Sequence, residues 1–381
     1  MGIYLHRHHA NHCLVIGENT SNIGDLFLRR QLISVTRVMF APNKIFSIEW
    51  QDNLATEAVL QSCGASPMSI RAKPFSVLAK AVGASVFIGP GQMIRGNASV
   101  FCVLFYLVIA LVTRLSRGTV TLHGIGIGRM DKALHIFLWK LIGSLCGAGY
   151  FRDEPSLKQA REILGMKQNA FLCADYAFLQ TDLSALFCRT VTAPTEPYIV
   201  CAPVHCQSEG RLLSSDEVAT TVVASAASLK CEKIVFLLHA PGIGAEHAFF
   251  SDCEKKVRAI SQSALRTRQV ETFDLEIVAK LYREAALVIS NRLHAVIFGL
   301  IAQKPVLVLE DGSQKLAAIA RQFCTPVGSI AGSLRPRART PEYRDALGAS
   351  QALAFAAFAE GGASGSSKTR WASNALRRYR S

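Results

Sequence analysis

The stretch from Leu287 to Leu309, LVISNRLHAVIFGLIAQKPVLVL, constrains the fold of this chain more than any other segment. A short apolar run leads to Ser290 and Asn291, both favoured N-cap residues. A helical pattern follows, and a second apolar run begins at Val306. Strand, helix and strand with such short connections form the unit that builds parallel sheets. The stretch therefore predicts an α/β fold.

The same pattern places Arg292 and His294 on the first turn of the helix. Backbone N–H groups and the helix dipole favour an anion there. A guanidinium binds carboxylate or phosphate through paired hydrogen bonds, and an imidazole moves protons near neutral pH. The pair is a candidate anion-binding and acid/base site. An arginine that caps a neighbouring loop and a histidine satisfied in the core are the alternative interpretation.

Strand and helix patterns alternate along most of the chain. Cys13 to Ile16 predicts the first strand, with a helix from about Leu26, and Ser85 to Ile88 predicts another strand. The pattern loosens around Thr181 to Pro197, where we place a domain boundary. A chain of 381 residues is long enough for two domains. We predict two Rossmann-like parallel-sheet domains facing a cleft.

Composition adds limits on partners. The net charge of +14 attracts anions such as phosphorylated molecules, acidic glycans, nucleic acid or an anionic membrane, without choosing among them. The eleven cysteines form no CxxC pair and no zinc spacing, and we interpret them as reduced thiols of a cytoplasmic protein. We therefore expect no metal site.

The run from Ser99 to Val112 is almost entirely apolar. Its length is short of the roughly 20 residues that cross a bilayer. A buried crossover helix is the favoured interpretation, and docking on a membrane surface is the minor alternative.

Polar residues follow several predicted strands, where α/β folds place ligands. The loop after the first strand contains Asn22, Gly24 and Asp25, which a turn with a helix N-cap explains equally well. His123 follows the strand predicted from Thr119 to Leu122 and precedes three alternating glycines that either approach a ligand or make a tight turn. Their spacing lacks the dinucleotide fingerprint, which argues against NAD binding. His239 ends another strand.

Three charged residues complete the candidates. Arg152 stands just before a helix start near Asp153, an end that repels cations unless an anion or carboxylate is present. A surface Arg–Asp pair is the alternative explanation. Asp311 and Lys315 lie on the loop after the strand that begins at Val306.

Several of these motifs, in this order, resemble the polysaccharide pyruvyl transferase family. They are Asn22-x-Gly24-Asp25, Arg152-Asp153-Glu154-x-Ser156, Asp175-x-Ala177-Phe178 and Arg292-Leu293-His294 followed by Lys304-Pro305. The resemblance extends from about residue 12 to about residue 325. Tyr176 stands where the family usually has proline.

The resemblance implies a GT-B-like architecture. Residues 1–190 would form an N-terminal domain on the acceptor side, and 191–332 a C-terminal domain on the phosphoenolpyruvate side. Beyond the resemblance, an Ala-rich stretch, a Gly/Ser linker and a basic end predict a helix and a flexible basic tail over residues 333–381. The implied reaction moves the pyruvyl group of phosphoenolpyruvate onto two sugar hydroxyls as a cyclic ketal, in exopolysaccharide or cell-surface glycan biosynthesis. It needs no cofactor and no metal.

The resemblance also implies residue roles. Arg292 and His294 would be catalytic, with Arg292 holding the anionic groups and His294 serving as acid/base. Substrate contacts are expected from Arg152, Leu293, Asn22, Gly24, Asp25, His123, His239, Asp311 and Lys315.

Two other functions fit parts of the pattern. A GT-B nucleotide-sugar glycosyltransferase would also use Arg and Lys for a diphosphate. A non-catalytic protein that binds acidic glycan or membrane would explain the charge but not the position of the Arg-Leu-His motif. We expect a cytoplasmic enzyme with peripheral contact at the inner membrane face. Its acceptor would be a sugar of a glycan or lipid-linked oligosaccharide, and we expect no nucleic-acid partner.

Overall fold

The computed structural model describes residues 12–17, 22–50, 54–179, 181–189, 196–205, 213–240, 244–309, 316, 319–320 and 349–350. They form two compact units that divide between Thr181 and Asp182, with residues 22–24 in the second unit and 349–350 in the first. The division lies at the start of the stretch from Thr181 to Pro197 where the pattern loosens. Phe187, just after it, packs in the second unit, where its ring stacks on Phe298 with centroids 4.9 Å apart.

The first unit is built on a parallel sheet in the order β3-β2-β1-β4-β6-β7-β8, with β5 also beside β6. The strands predicted over Cys13 to Ile16 and Ser85 to Ile88 are confirmed, and the one predicted from Thr119 to Leu122 extends further, to Ile127. The strands are β1 His12–Ile16, β2 Lys44–Glu49, β3 Ala65–Ser69, β4 Ser85–Ile88, β5 Gly91–Ile94, β6 Thr119–Ile127, β7 Ala148–Phe151 and β8 Ala170–Leu172.

Two helices in this part of the chain begin at side chains that cap them. The first starts at Ile23 rather than near Leu26, and the side chain of Asn22 accepts a hydrogen bond from the Gly24 backbone N–H at its start. Asp153 caps the sixth helix in the same way. The helices are α1 Ile23–Phe40, α2 Leu54–Ser62, α3 Pro74–Ala81, α4 Val100–Leu115, α5 Ala133–Leu145 and α6 Glu154–Glu162.

The apolar run predicted as a buried crossover helix is α4, which connects β5 to β6. Its inner face buries Val103, Tyr106 and Ile109 in the core of the first unit. Phe101 and Leu115 on the outer face are 76% and 83% exposed. The prediction of a buried helix is therefore wrong for the outer face. An unbroken apolar run has no periodicity from which a buried and an exposed face could be told apart. Within the described residues, no helix is both long enough and apolar enough to cross a membrane.

The second unit has a parallel sheet in the order β11-β10-β9-β12-β13. Its strands are β9 Tyr198–Cys201, β10 Lys233–Leu238, β11 Arg266–Glu271, β12 Leu287–Ser290 and β13 Val306–Val308. Its helices are α7 Asp182–Cys188, α8 Ser215–Leu229, α9 Gly244–Ile260, α10 Leu275–Glu284 and α11 Leu293–Ile301. The strand, helix and strand predicted between Leu287 and Leu309 are confirmed. β12 and β13 are buried on both faces, as is typical of parallel sheets.

Candidate functional site

The sheet of the second unit has a topological switch point between β9 and β12. β9 is its first strand along the chain, and the order runs to β10 on one side and to β12 on the other. Ligands of parallel sheets bind outside the carboxyl ends of the strands at such a point. The loop 202–205 and the start of α11 therefore frame a candidate site within this unit.

Hydrogen bonds fasten these two segments to each other. The side chain of Asn291 accepts from the backbone N–H of Val204 and donates to its carbonyl, both at 2.7 Å. The hydroxyl of Ser290 donates to the carbonyl of Ala202 at 2.6 Å. Asn291 and Ser290 are both fully buried. The carboxyl ends of β9 and β12 are thus held in one arrangement before any ligand binds.

Arg292 is the N-cap residue of α11, with extended backbone, rather than a first-turn residue as the pattern predicted. Its guanidinium donates to the Glu246 carboxylate through Nη2 at 2.6 Å and to the Pro203 carbonyl through Nε at 3.4 Å. The side chain is only 11% exposed. The structure therefore anchors this cation next to the start of α11.

Glu246, in the first turn of α9, is a site residue that sequence reasoning missed. Its carboxylate also accepts from the backbone N–H groups of His239 and Ala240. Burial raises the pKa of Glu246, although the positive charge of Arg292 and the two backbone donors oppose that rise. In the sequence, Glu246 is visible only as an acidic residue near the start of a helix that follows a strand, and this pattern does not indicate that it pairs with Arg292.

His239 lies at the end of β10 and is buried. Its Nε2 is 2.7 Å from the hydroxyl of Tyr282. Burial, with the positive charges of Arg292 and His294 as smaller causes, lowers the pKa of His239 well below its ordinary value. His239 is therefore a neutral residue of the interior at physiological pH, and its predicted contact with substrate stays a prediction.

His294 lies in the first turn of α11, as predicted, and is half-buried. Its ring stacks on Phe298, one turn further along, with centroids 6.4 Å apart. His239 stacks on the same phenylalanine at 5.9 Å. Gly24 lies against the imidazole so closely that a β-carbon at this glycine would overlap Nδ1. The ring thus has a defined position between a glycine and an aromatic side chain.

The predicted residues around Asn22 divide between cap and helix. Asn22 precedes α1, Gly24 is buried within it, and Asp25 is half-buried in its first turn. The backbone N–H of Ile23 donates to the carbonyl of His239 at 2.8 Å, within the second unit. The turn with an N-cap considered from sequence is therefore present, and its glycine also touches the candidate site.

Arg152 belongs to the first unit, at the end of β7. It donates to Asp175 through Nη1 at 3.1 Å, and its Nε lies 3.7 Å from Asp153. The surface Arg–Asp pair considered as an alternative is wrong in its location, because only 6% of the Arg152 side chain is exposed. Gly126 on β6 leaves room for the guanidinium, which a β-carbon there would meet.

His123 is also in the first unit and is enclosed by protein. Its ring nitrogens lie 2.9 Å from the hydroxyls of Tyr176 and Thr121. Burial lowers the pKa of His123 to about 3. Tyr176, at a position where the family usually has proline, thus serves as a partner for this histidine. The predicted substrate contact of His123 stays a prediction.

The second unit brings together Asn22, Gly24, His239, Arg292, Leu293 and His294. Leu293 is the first residue of α11 and is half-buried. Two further predicted residues, Asp311 and Lys315, lie outside the described residues.

A protein-family model described as "Polysaccharide pyruvyl transferase" matches residues 22–313. The match includes every sequence motif that carried the resemblance. The chain belongs to the polysaccharide pyruvyl transferase family. A search of curated protein sequences gave no match to this family member.

Solved structures similar to this family member share its fold at low identity. A putative UDP-N-acetylglucosamine 2-epimerase from Listeria monocytogenes has 13% identity and a TM-score of 0.57, over 91% of this chain and 95% of that one. A glycosyltransferase from Rickettsia africae has 11% identity and a TM-score of 0.54, over 97% of both chains. The Neisseria meningitidis UDP-GlcNAc 2-epimerase bound to UDP-GlcNAc has 11% identity and a TM-score of 0.53, over 90% and 93%. The predicted GT-B-like fold class is confirmed.

Proposed function

We propose that this chain transfers the pyruvyl group of phosphoenolpyruvate onto two hydroxyls of a sugar, in a polysaccharide or a lipid-linked glycan. The observation that carries the proposal is the position of His294. It is a half-buried imidazole in the first turn of α11, at the switch point of the second sheet. Family membership supports the same class of reaction.

The start of α11 suits an anionic donor. The positive end of the helix dipole favours carboxylate and phosphate. Arg292 adds a guanidinium at the cap, held by the Glu246 carboxylate and the Pro203 carbonyl. Because these contacts already fix the Arg292 side chain, the protein does not have to order it when a ligand binds. Phosphoenolpyruvate carries both a carboxylate and a phosphate and would meet this positive region with either group.

The proposed chemistry uses His294 as acid and then base. Its imidazolium form donates a proton to the methylene carbon of phosphoenolpyruvate, which makes C2 electrophilic. One sugar hydroxyl adds to C2 and returns its proton to His294. A second hydroxyl then bonds to C2 as the bond from C2 to the phosphate oxygen breaks, and its proton leaves with the phosphate. The products are the ketal and inorganic phosphate, and the reaction needs no cofactor.

Ligand binding tests the donor. A ligand that binds only the folded state raises the melting temperature with its concentration. We expect phosphoenolpyruvate to stabilise the wild-type chain more than inorganic phosphate does, and UDP to have no effect. In the double variant Glu246→Gln/Arg292→Gln, which removes both buried charges, the stabilisation should disappear. Stabilisation by UDP and not by phosphoenolpyruvate would overturn the proposal in favour of a nucleotide-sugar enzyme.

Turnover tests the role of His294. Positioned proton transfer contributes about 10²–10⁴ in rate, so His294→Ala should lower kcat for acceptor-dependent phosphate release by more than tenfold. Because the ring packs against Phe298 and Gly24, a melting curve measured beside the kinetics must show that the variant is still folded at the assay temperature. His247→Ala is the matched control, a half-exposed histidine of the same unit that pairs with Glu271. Near-wild-type turnover of His294→Ala would remove His294 from the mechanism.

A further inference from the structure

The outer side of α4 is an apolar stripe. Its members recur at helical spacing along the whole helix and are 38–83% exposed: Phe101, Leu104, Val108, Leu111 and Leu115. The opposite side of α4 is buried in the core of the first unit. A helix that buries one apolar face and exposes another has more apolar surface than its own fold uses.

A second stripe lies on α5, the neighbour of α4. Leu134, Phe137 and Leu141 are exposed at spacings of three and four residues. The two helices pack side by side over one core, where the rings of Tyr106 and Trp139 are 6.4 Å apart. Their outer faces therefore turn away from the same side of the sheet. We call the two stripes together the apolar patch.

The chain segment that contains the apolar patch carries charges of almost entirely one sign. Residues 71–151 contain nine Lys or Arg and one acidic residue, Asp131, which pairs with Arg129 at 3.6 Å. Neither α4 nor α5 contains an acidic residue. Exposed cations lie within or next to the two helices: Arg114, Arg117, Lys132 and Lys140. The exposed cations favour a partner with negative charge, and the exposed apolar side chains favour one with an apolar interior.

We propose that the apolar patch docks this chain onto an anionic lipid membrane, with α4 and α5 lying in the plane of the surface. Apolar side chains of such a face enter the boundary between headgroups and acyl chains, and the flanking cations meet anionic headgroups. A second copy of this chain is a poorer occupant, because its patch would bring the same positive charge. The proposal goes beyond the proposed function and does not depend on which donor the enzyme uses.

Vesicle flotation of the full chain tests the docking. We expect the wild type to float with vesicles of phosphatidylcholine and phosphatidylglycerol at low salt, and much less with phosphatidylcholine alone. The variant Phe101→Ser/Leu115→Ser/Phe137→Ser should bind the anionic vesicles about tenfold more weakly, because it loses apolar area that would be buried in lipid. Arg114→Glu/Lys140→Glu should weaken binding as well. The three apolar side chains are exposed, so the melting temperature of the triple serine variant should not fall.

Matched controls separate docking from general surface effects. Ile260→Ser/Ile277→Ser changes two apolar residues of the second unit that are 48% and 44% exposed, and it should bind vesicles like the wild type. Four results would overturn the proposal. The first two are a wild-type chain that does not float with anionic vesicles and patch variants that float as the wild type does. The third is flotation that is lost only when residues 361–381 are removed. The fourth is a wild-type dimer that becomes a monomer in the patch variant. Melting shifts with phosphoenolpyruvate should be the same in the patch variants, so failure of docking leaves the proposed function testable.

Discussion

At the scale of single residues, the addition of one methyl group at Gly24 is enough to disturb the candidate site. Its lack of a side chain leaves the space that the imidazole of His294 occupies. Gly24→Ala should therefore displace the ring and lower kcat by about tenfold or more, since proton transfer depends on placement of the imidazole. Alanine has the higher helix propensity, so stability alone would not predict a loss. Steady-state kinetics beside a melting curve makes the measurement.

Gly244→Ala provides the matched comparison. This glycine is the first residue of α9, and a β-carbon there meets nothing within 4 Å. Its substitution should leave kcat unchanged. If both alanine variants kept wild-type activity, the position of His294 next to Gly24 would have no importance for turnover.

His123 makes a prediction about pH. The folded chain keeps this imidazole neutral down to about pH 3, whereas an unfolded histidine takes up a proton near 6.5. Its contribution to stability is therefore complete above pH 6.5 and is lost as the pH falls, by at most about 1.4 kcal/mol for each pH unit. Urea unfolding between pH 7 and 5 should show a smaller loss in His123→Gln than in the wild type. Equal slopes for the two proteins would contradict the prediction.

At the scale of elements, one ion pair joins α9 to the start of α11. Glu246 and Arg292 have side chains 5% and 11% exposed, and the carboxylate also receives two backbone N–H groups at the end of β10. Removal of one member leaves the other charge buried without compensation. Such pairs are therefore much more costly to break than they are valuable to form.

Glu246→Ala should destabilise the chain by about 3–5 kcal/mol, because Arg292 loses its carboxylate and the backbone N–H groups of His239 and Ala240 lose an acceptor. Adding Arg292→Met to this variant should restore part of the loss. A double-mutant cycle on the free energy of unfolding measures the coupling. Additive losses would mean that the two side chains do not interact in solution.

At the scale of the whole molecule, two parallel-sheet units carry a net charge of +14. Long-range attraction of an anionic donor is screened as salt rises, since the screening length falls from about 10 Å at 0.1 M to about 3 Å at 1 M. We expect the Kd of phosphoenolpyruvate, measured by calorimetry, to rise several-fold over this range. An unchanged Kd would mean that only contacts inside the site matter.

Much of this fold could be predicted from sequence because its signals are local. The strand–helix–strand pattern from Leu287 to Leu309 identifies β12, α11 and β13. The start of α6 is marked by Asp153, whose side chain accepts from the backbone N–H of Ser156, three residues further along. The order of the Asn22, Arg152 and Arg292 motifs was enough to indicate the family that the comparison then showed.

Other features were decided by the tertiary structure alone. Glu246 meets Arg292 across 46 residues of chain, and Phe187 joins the second unit by stacking on a ring in α11. The two faces of α4 differ only because one of them packs on the sheet. Periodicity and capping report on residues within a turn or two of each other. Contacts between distant segments depend on how the elements pack, and no local pattern encodes that packing.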